Sequence, residues 1–173
     1  MLHALQILLL TIFPALVTVG GLRDLTSFII PNWISLALVA AFLPAALVAG
    51  VPLADIGLHI GVGVGALALG IAMWSARWIG GGDAKLFAAA GLWLGWPASL
   101  VFAATTGMAG GVLALSLMLL RSVWVRPFIP SGPGWFGRLV EPGEAVPYGV
   151  AIAAGALVAL PHSTLAVAID GFS

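Results

Sequence analysis

No acidic or basic residue lies well inside any of the six long apolar runs of this sequence; Gly, Pro and the charged residues mark the breaks between them. A helix that crosses a bilayer needs about 20 predominantly apolar residues. The chain is 62% apolar and only 7% charged, where a soluble domain carries about 25% charged residues. There is too little polar surface to cover a water-soluble globule, so the chain is expected to use the lipid bilayer as its solvent. The expected fold is all-α, an integral membrane bundle of about six transmembrane helices, with residues 1–173 as one domain.

The runs are read as follows. The first is Leu2–Val19, ended by Gly20-Gly21; it lacks a basic leading segment and a small-x-small cleavage site, so it is expected to be retained as a helix. The second is about Asn32–Ala49, with Pro31 in its first turn and a stop at Gly50. The third is about Ile56–Trp74, with Asp55 as its N-cap. Its Gly57, Gly61 and Gly65, spaced by four, predict a face for close helix contact. The fourth, Ala84–Leu94, rises only about 16 Å at 1.5 Å per residue. It is therefore expected to begin below the membrane surface or to sit in thinned bilayer. The fifth is Ala98–Leu120 and the last Tyr148–Ala168. Between them runs a Pro- and Gly-rich loop, Arg121–Pro147, whose Glu141 and Glu144 are expected to be solvated.

Charge placement sets the expected orientation. Arg23, Arg77, Lys85, Arg121, Arg126 and Arg138 all fall at the first, third and fifth breaks. Six spans put those breaks on one side, and the positive-inside rule makes that side cytoplasmic, with both termini outside. Net charge is zero, and no nucleic-acid partner is expected.

Two carboxyls share that cytoplasmic side: Asp24, at the end of the first run, and Asp83, opening the fourth. A pair of carboxyls can hydrolyse a peptide bond if one, ionised, takes a proton from water while the other, protonated, donates one. Like charges a few ångströms apart tend to share a single proton. Sequence places the two on one face without bringing them together. Taken singly, Asp24 also reads as a loop residue or helix cap, and Asp83 as an N-cap favoured by the helix dipole. The preceding Gly80-Gly81-Gly82 permits close backbone approach, and an extended substrate could pair with it. Lys85 is read as an anchor at the membrane surface, and Asp55 and Asp170 as caps or solvated ends. No thiol chemistry is available, because there is no Cys. His3, His59 and His162 form no H-E-x-x-H pattern, so neither a metal nor a cofactor is expected. Trp33, Trp74, Trp78, Trp96 and Trp124 near helix ends read as interfacial anchors.

Asp24 followed by Ile30-Pro31-Asn32, then Gly80-Gly81-Gly82-Asp83-Ala84-Lys85, then Val146-Pro147-Tyr148-Gly149 before the last run, resembles the type IV prepilin leader peptidases in order, spacing and helix count. The resemblance implies a GxGD-type aspartic protease that removes the leader of prepilins at the cytoplasmic membrane face. It implies Asp24 and Asp83 as the catalytic pair, Gly80, Gly81 and Gly82 as a loop holding the scissile segment, and Pro31, Asn32, Pro147, Tyr148 and Gly149 as shaping the neighbouring helix starts. Larger relatives carry a Cys-rich domain and N-methylate the new pilin terminus. With no Cys, this sequence looks like the short form serving Tad/Flp pili, and methyl transfer is not expected. The implied partner is an Flp-type prepilin, and the implied location is the bacterial inner membrane. Two other readings are a small transporter or channel, whose helix breaks would line a solute site, and a non-catalytic scaffold that packs through the Gly57, Gly61 and Gly65 face.

Overall fold

Hydrocarbon supplies no hydrogen bonds to a backbone, so a chain this apolar must satisfy its N–H and C=O groups internally. The computed structural model, which describes residues 2–129 and 132–170, does so with helices, and among the described residues there is no strand. The side chains of His3 and Asp170 lie outside the described part. The helices are α1 (Leu2–Ser27), α2 (Asn32–Val48), α3 (Leu53–Ser75), α4 (Gly81–Leu94), α5 (Ala98–Leu120), the short α6 (Gly134–Leu139), α7 (Tyr148–Ala159) and α8 (Thr164–Asp170). Ala4–Ser27, α3, α5 and the segment Tyr148–Ala168 are long and apolar enough to cross a membrane, and α2 is a shorter apolar helix. Leu, Val, Ile and Met side chains such as Leu58, Val64, Leu115 and Met118 cover the outside, as expected of a surface solvated by lipid. This is an all-α, multi-pass membrane bundle.

The short α4 is its axle. Leu86, Ala89, Ala90, Trp93 and Leu94 are buried, and α1, α2, α3 and α7 pack around the helix. Because protein surrounds it, α4 does not need the full bilayer thickness that its length falls short of. Trp93 stacks on Phe13 with ring centroids 5.4 Å apart and donates its indole N–H to the Leu38 carbonyl at 2.8 Å. Trp33, Trp74, Trp78, Trp96 and Trp124 are all exposed near helix ends, which suits interfacial anchors.

Several boundaries differ from expectation, each for a packing reason. Gly20-Gly21 does not end α1, which runs on to Ser27. A Cβ on Gly21 would stand 2.9 Å from that of Ala153 and 3.1 Å from the Gly149 carbonyl oxygen, and one on Gly20 3.1 Å from Leu86 Cδ2, so Gly21 admits α7 and Gly20 admits α4 rather than stopping a helix. Pro31 is the N-cap of α2 rather than part of its first turn, and Pro52 rather than Asp55 caps α3. The stripe of Gly57, Gly61 and Gly65 is exposed and a Cβ on any of them would touch nothing within 4 Å among the described residues. The glycines of α3 that carry close contact are Gly63 and Gly70, where a Cβ would meet that of Leu92 at 2.9 Å and that of Ala84 at 3.0 Å. Gly63→Leu is therefore expected to reduce the yield of folded protein in detergent, with Gly61→Leu matching wild type in size-exclusion profile. The last run is broken at Pro161: a 3-10 turn spans Leu160–His162, and Ser163, extended, accepts the Ala166 N–H with its hydroxyl at 3.2 Å to start α8.

The 121–147 connection is cross-tied by Arg121, and its α6 packs on α1. The Arg121 guanidinium donates to the carbonyls of Leu139 (2.9 Å), Glu144 (2.7 Å) and Ala145 (3.0 Å). Glu141 and Glu144 are not simply solvated: they face Arg126 at 2.8 Å and Arg138 at 3.9 Å. Such partly exposed pairs contribute only about 0–1 kcal/mol each.

At the other end of the bundle, His59 is buried and satisfied on both ring nitrogens. Nδ1 donates to the Leu92 carbonyl at 2.7 Å, which leaves Nε2 to accept the Thr164 hydroxyl at 2.6 Å. It ties α3 to the end of α4 and to α8. His59→Ala removes the ring and orphans the Leu92 carbonyl, at about 1–3 kcal/mol for the lost polar partner alone. A lowered thermal unfolding midpoint in detergent is the expected result.

Candidate active site

The end of the bundle opposite His59 collects the charge. Arg23 and Asp24 close α1, Arg77 follows α3, Asp83 and Lys85 open α4, and Arg121 follows α5. Asp24 lies one turn before the end of α1, on the side facing α7, and Asp83 is the third residue of α4. Both are buried, at 6% and 7% exposure, where a lone charge would be costly.

The start of α7 brings the two together. Pro147 is buried as its N-cap, and the Gly149 N–H, one of the first-turn amides that a helix leaves unpaired, donates to Asp24 Oδ2 at 2.7 Å. Asp83 lies close enough for its carboxyl to feel the charge of Asp24. Gly149 has to lack a side chain: a Cβ would lie 2.8 Å from Asp24 Cβ, 2.8 Å from Ile30 Cδ1 and 2.9 Å from Asp24 Oδ2. Asp83 uses one oxygen as a cap, Oδ2 accepting the Gly80 N–H at 2.9 Å. Its other oxygen, Oδ1, is buried with no hydrogen-bond partner among the described residues. The capping role of Asp83 thus occupies one oxygen and leaves the other open. The positive ends of the α4 and α7 dipoles both point at this cluster and favour negative charge there.

The remaining residues that the sequence singled out fall as follows. Gly80 is extended (φ −73°, ψ 155°), but Gly81 and Gly82 already belong to the first turn of α4. The Asp83 cap winds the helix up to Gly81, and residues 76–79 are turn and bend, so extended backbone for strand pairing is confined to Gly80. Gly82 lies against Ile30, with a Cβ there 3.1 Å from Ile30 Cβ. Pro31 turns the chain beside it, and Asn32 accepts a hydrogen bond from Lys85 Nζ through Oδ1 at 2.8 Å. Lys85 therefore ties the α4 start to the α2 start. Tyr148 packs on α5, its ring 3.2 Å from where a Gly110 Cβ would be. Phe28, just past α1, has φ +56°, an uncommon conformation for a bulky residue. Arg138 of α6 covers its ring at 4.8 Å. Sequence reasoning set Gly149 down as a helix-start residue and missed its amide; the available signal was a glycine two places after a proline, the position of an unpaired first-turn N–H.

A polytopic helical bundle that holds two buried carboxyls at the starts of α4 and α7 defines a membrane-embedded protein with an acidic centre at one end. Comparison with known proteins places it further. Residues 11–115 match the type IV leader peptidase family, and the chain belongs to that family. The matched stretch contains Asp24 and Asp83. A prepilin leader peptidase/N-methyltransferase of Aeromonas salmonicida is 33% identical over 132 residues, covering 67% of this chain and 43% of that protein. One from Aeromonas hydrophila is 34% identical over 91 residues, covering 44% and 31%. The chain spans less than half the length of these curated relatives. No solved structure matches it.

Proposed function

We propose that this chain is an aspartic endopeptidase that removes the leader of prepilins, with Asp24 and Asp83 as the catalytic pair. The observation that carries the reading is the burial of both carboxyls at one end of the bundle, close enough for Asp83 to feel the charge of Asp24, from helix ends 59 residues apart in sequence. In the mechanism, the pair carries one proton between its two members. The ionised member takes a proton from a water molecule as that water adds to the scissile carbonyl carbon. The protonated member donates to the carbonyl oxygen, and collapse of the diol expels the leaving amine with a proton. The Gly149 N–H stabilises the remaining negative charge. Gly80 holds the scissile segment extended, and Pro31, Asn32 and Pro147 fix the helix starts around it.

The proposed setting is the bacterial inner membrane, with the acidic centre on the cytoplasmic side and both termini outside. Its support is the gathering of Arg23, Arg77, Lys85 and Arg121 at the aspartate end of the bundle. The proposed substrate is an Flp-type prepilin. Co-expression with such a prepilin tests the reading: conversion to a shorter, faster-migrating pilin is expected, and a prepilin left at full length would overturn it.

A further inference from the structure

We propose that the apolar helix following the leader of the substrate docks in a lateral groove between α3 and α5, which delivers the leader junction to Asp24 and Asp83. This rests on the peptidase reading above. α3 packs along α4 and α5 along α7, but α3 and α5 do not pack on one another. The gap between them is a cleft of about 510 Å³, with Phe87 and Tyr148 among its lining and Met73 and Gly107 on its two walls.

Its position argues for the occupant. Ile79 and Tyr148 line the cleft, and they are the chain neighbours of Gly80 and Gly149, whose amides bond to Asp83 and Asp24. The groove therefore ends beside the residues whose amides hold the two carboxyls, although Asp24 and Asp83 do not themselves line it. The α5 wall from Ala103 to Gly111 rises about 12 Å, two helical turns. A Cβ on Gly107 or Gly111 would touch nothing within 4 Å among the described residues, so a second helix can come close there. In lipid, helix association depends on such close contact. A flexible acyl chain matches it less well than a rigid apolar helix, and an acyl chain carries no peptide bond to the centre.

The chain has no Cys, so introduced thiols report cleanly. Full-length Asp83→Asn protein carrying Gly107→Cys is placed in phosphatidylethanolamine/phosphatidylglycerol vesicles with a prepilin that bears one Cys on its apolar helix. On addition of copper-phenanthroline as oxidant an enzyme–prepilin disulfide is expected, and Met108→Cys, at the next, exposed position of α5, should form little. Equal crosslinking at both positions, or a crosslink only between two enzyme chains, would overturn the proposal. In the active protein, Gly107→Leu has room to fold. It should raise KM for the helix-bearing prepilin by about 10-fold and leave cleavage of a synthetic leader peptide without the apolar helix unchanged. Unchanged kinetics on both substrates would also overturn it. If the crosslink forms but wild type cleaves neither substrate, the peptidase reading fails and the docking groove stands.

Discussion

Asp83→Asn is expected to abolish leader removal, lowering the rate by at least about 10²–10⁴-fold, with the protein still inserted at wild-type level. The substitution is nearly isosteric. The Asn carbonyl oxygen can still accept the Gly80 N–H that Asp83 Oδ2 holds at 2.9 Å, so the cap that starts α4 survives. What is lost is the ability to carry and release a proton at the buried carboxyl. Asp24→Asn should behave alike, because its carbonyl oxygen can keep the 2.7 Å bond from Gly149. An immunoblot of the membrane fraction beside a gel shift of the prepilin separates loss of chemistry from loss of protein. Normal processing by either variant would end its assignment.

Gly149→Ala is expected to be the most damaging conservative change away from the two carboxyls. Its methyl group would have to occupy space 2.8 Å from both Asp24 Cβ and Ile30 Cδ1. α1, α7 and the Ile30 turn meet at that point, so something must move. Overpacking of this kind costs about 1–3 kcal/mol. A shift of about 1 Å at a reacting group can cost about 10²-fold in rate. The expected outcome is a loss of that order in leader removal with a modest drop in unfolding temperature. Gly137→Ala in α6, where a Cβ would touch nothing within 4 Å among the described residues, should leave both readouts at wild type. Equal behaviour of the two variants would show that the Gly149 contact does not position the carboxyls.

Features decided within one stretch of chain were legible in the sequence. The α5 bounds, Ala98–Leu120, follow from an apolar run between Pro97 and Arg121 and agree with the structure. The common side of Asp24 and Asp83 followed from counting spans. Features decided by a distant partner were not legible. Gly20-Gly21 reads as a stop, and the role of Gly21 in admitting α7 depends on Ala153 and Gly149, more than a hundred residues later. The stripe of Gly57, Gly61 and Gly65 has the spacing of a packing face, but α4 lies against Gly63 and Gly70 instead. Spacing cannot say which side of α3 a neighbour takes. Pro161-His162-Ser163-Thr164 is a break that the sequence does carry; it is passed over because the apolar residues on its two sides together reach the length of a span. Asp83 shows a different limit, since a cap and a reactive acid have the same sequence signature until each oxygen is traced to its own partner.

The central claim is that Asp24 and Asp83 act as one unit. The most direct test is the leader-removal rate of Asp24→Asn, Asp83→Asn and the double variant, measured on one prepilin in reconstituted vesicles at equal enzyme. Residues acting as a unit give non-additive losses, so the account predicts that each single variant falls to about the same floor as the double. A single variant that keeps substantial activity, or losses that multiply in the double, would contradict it.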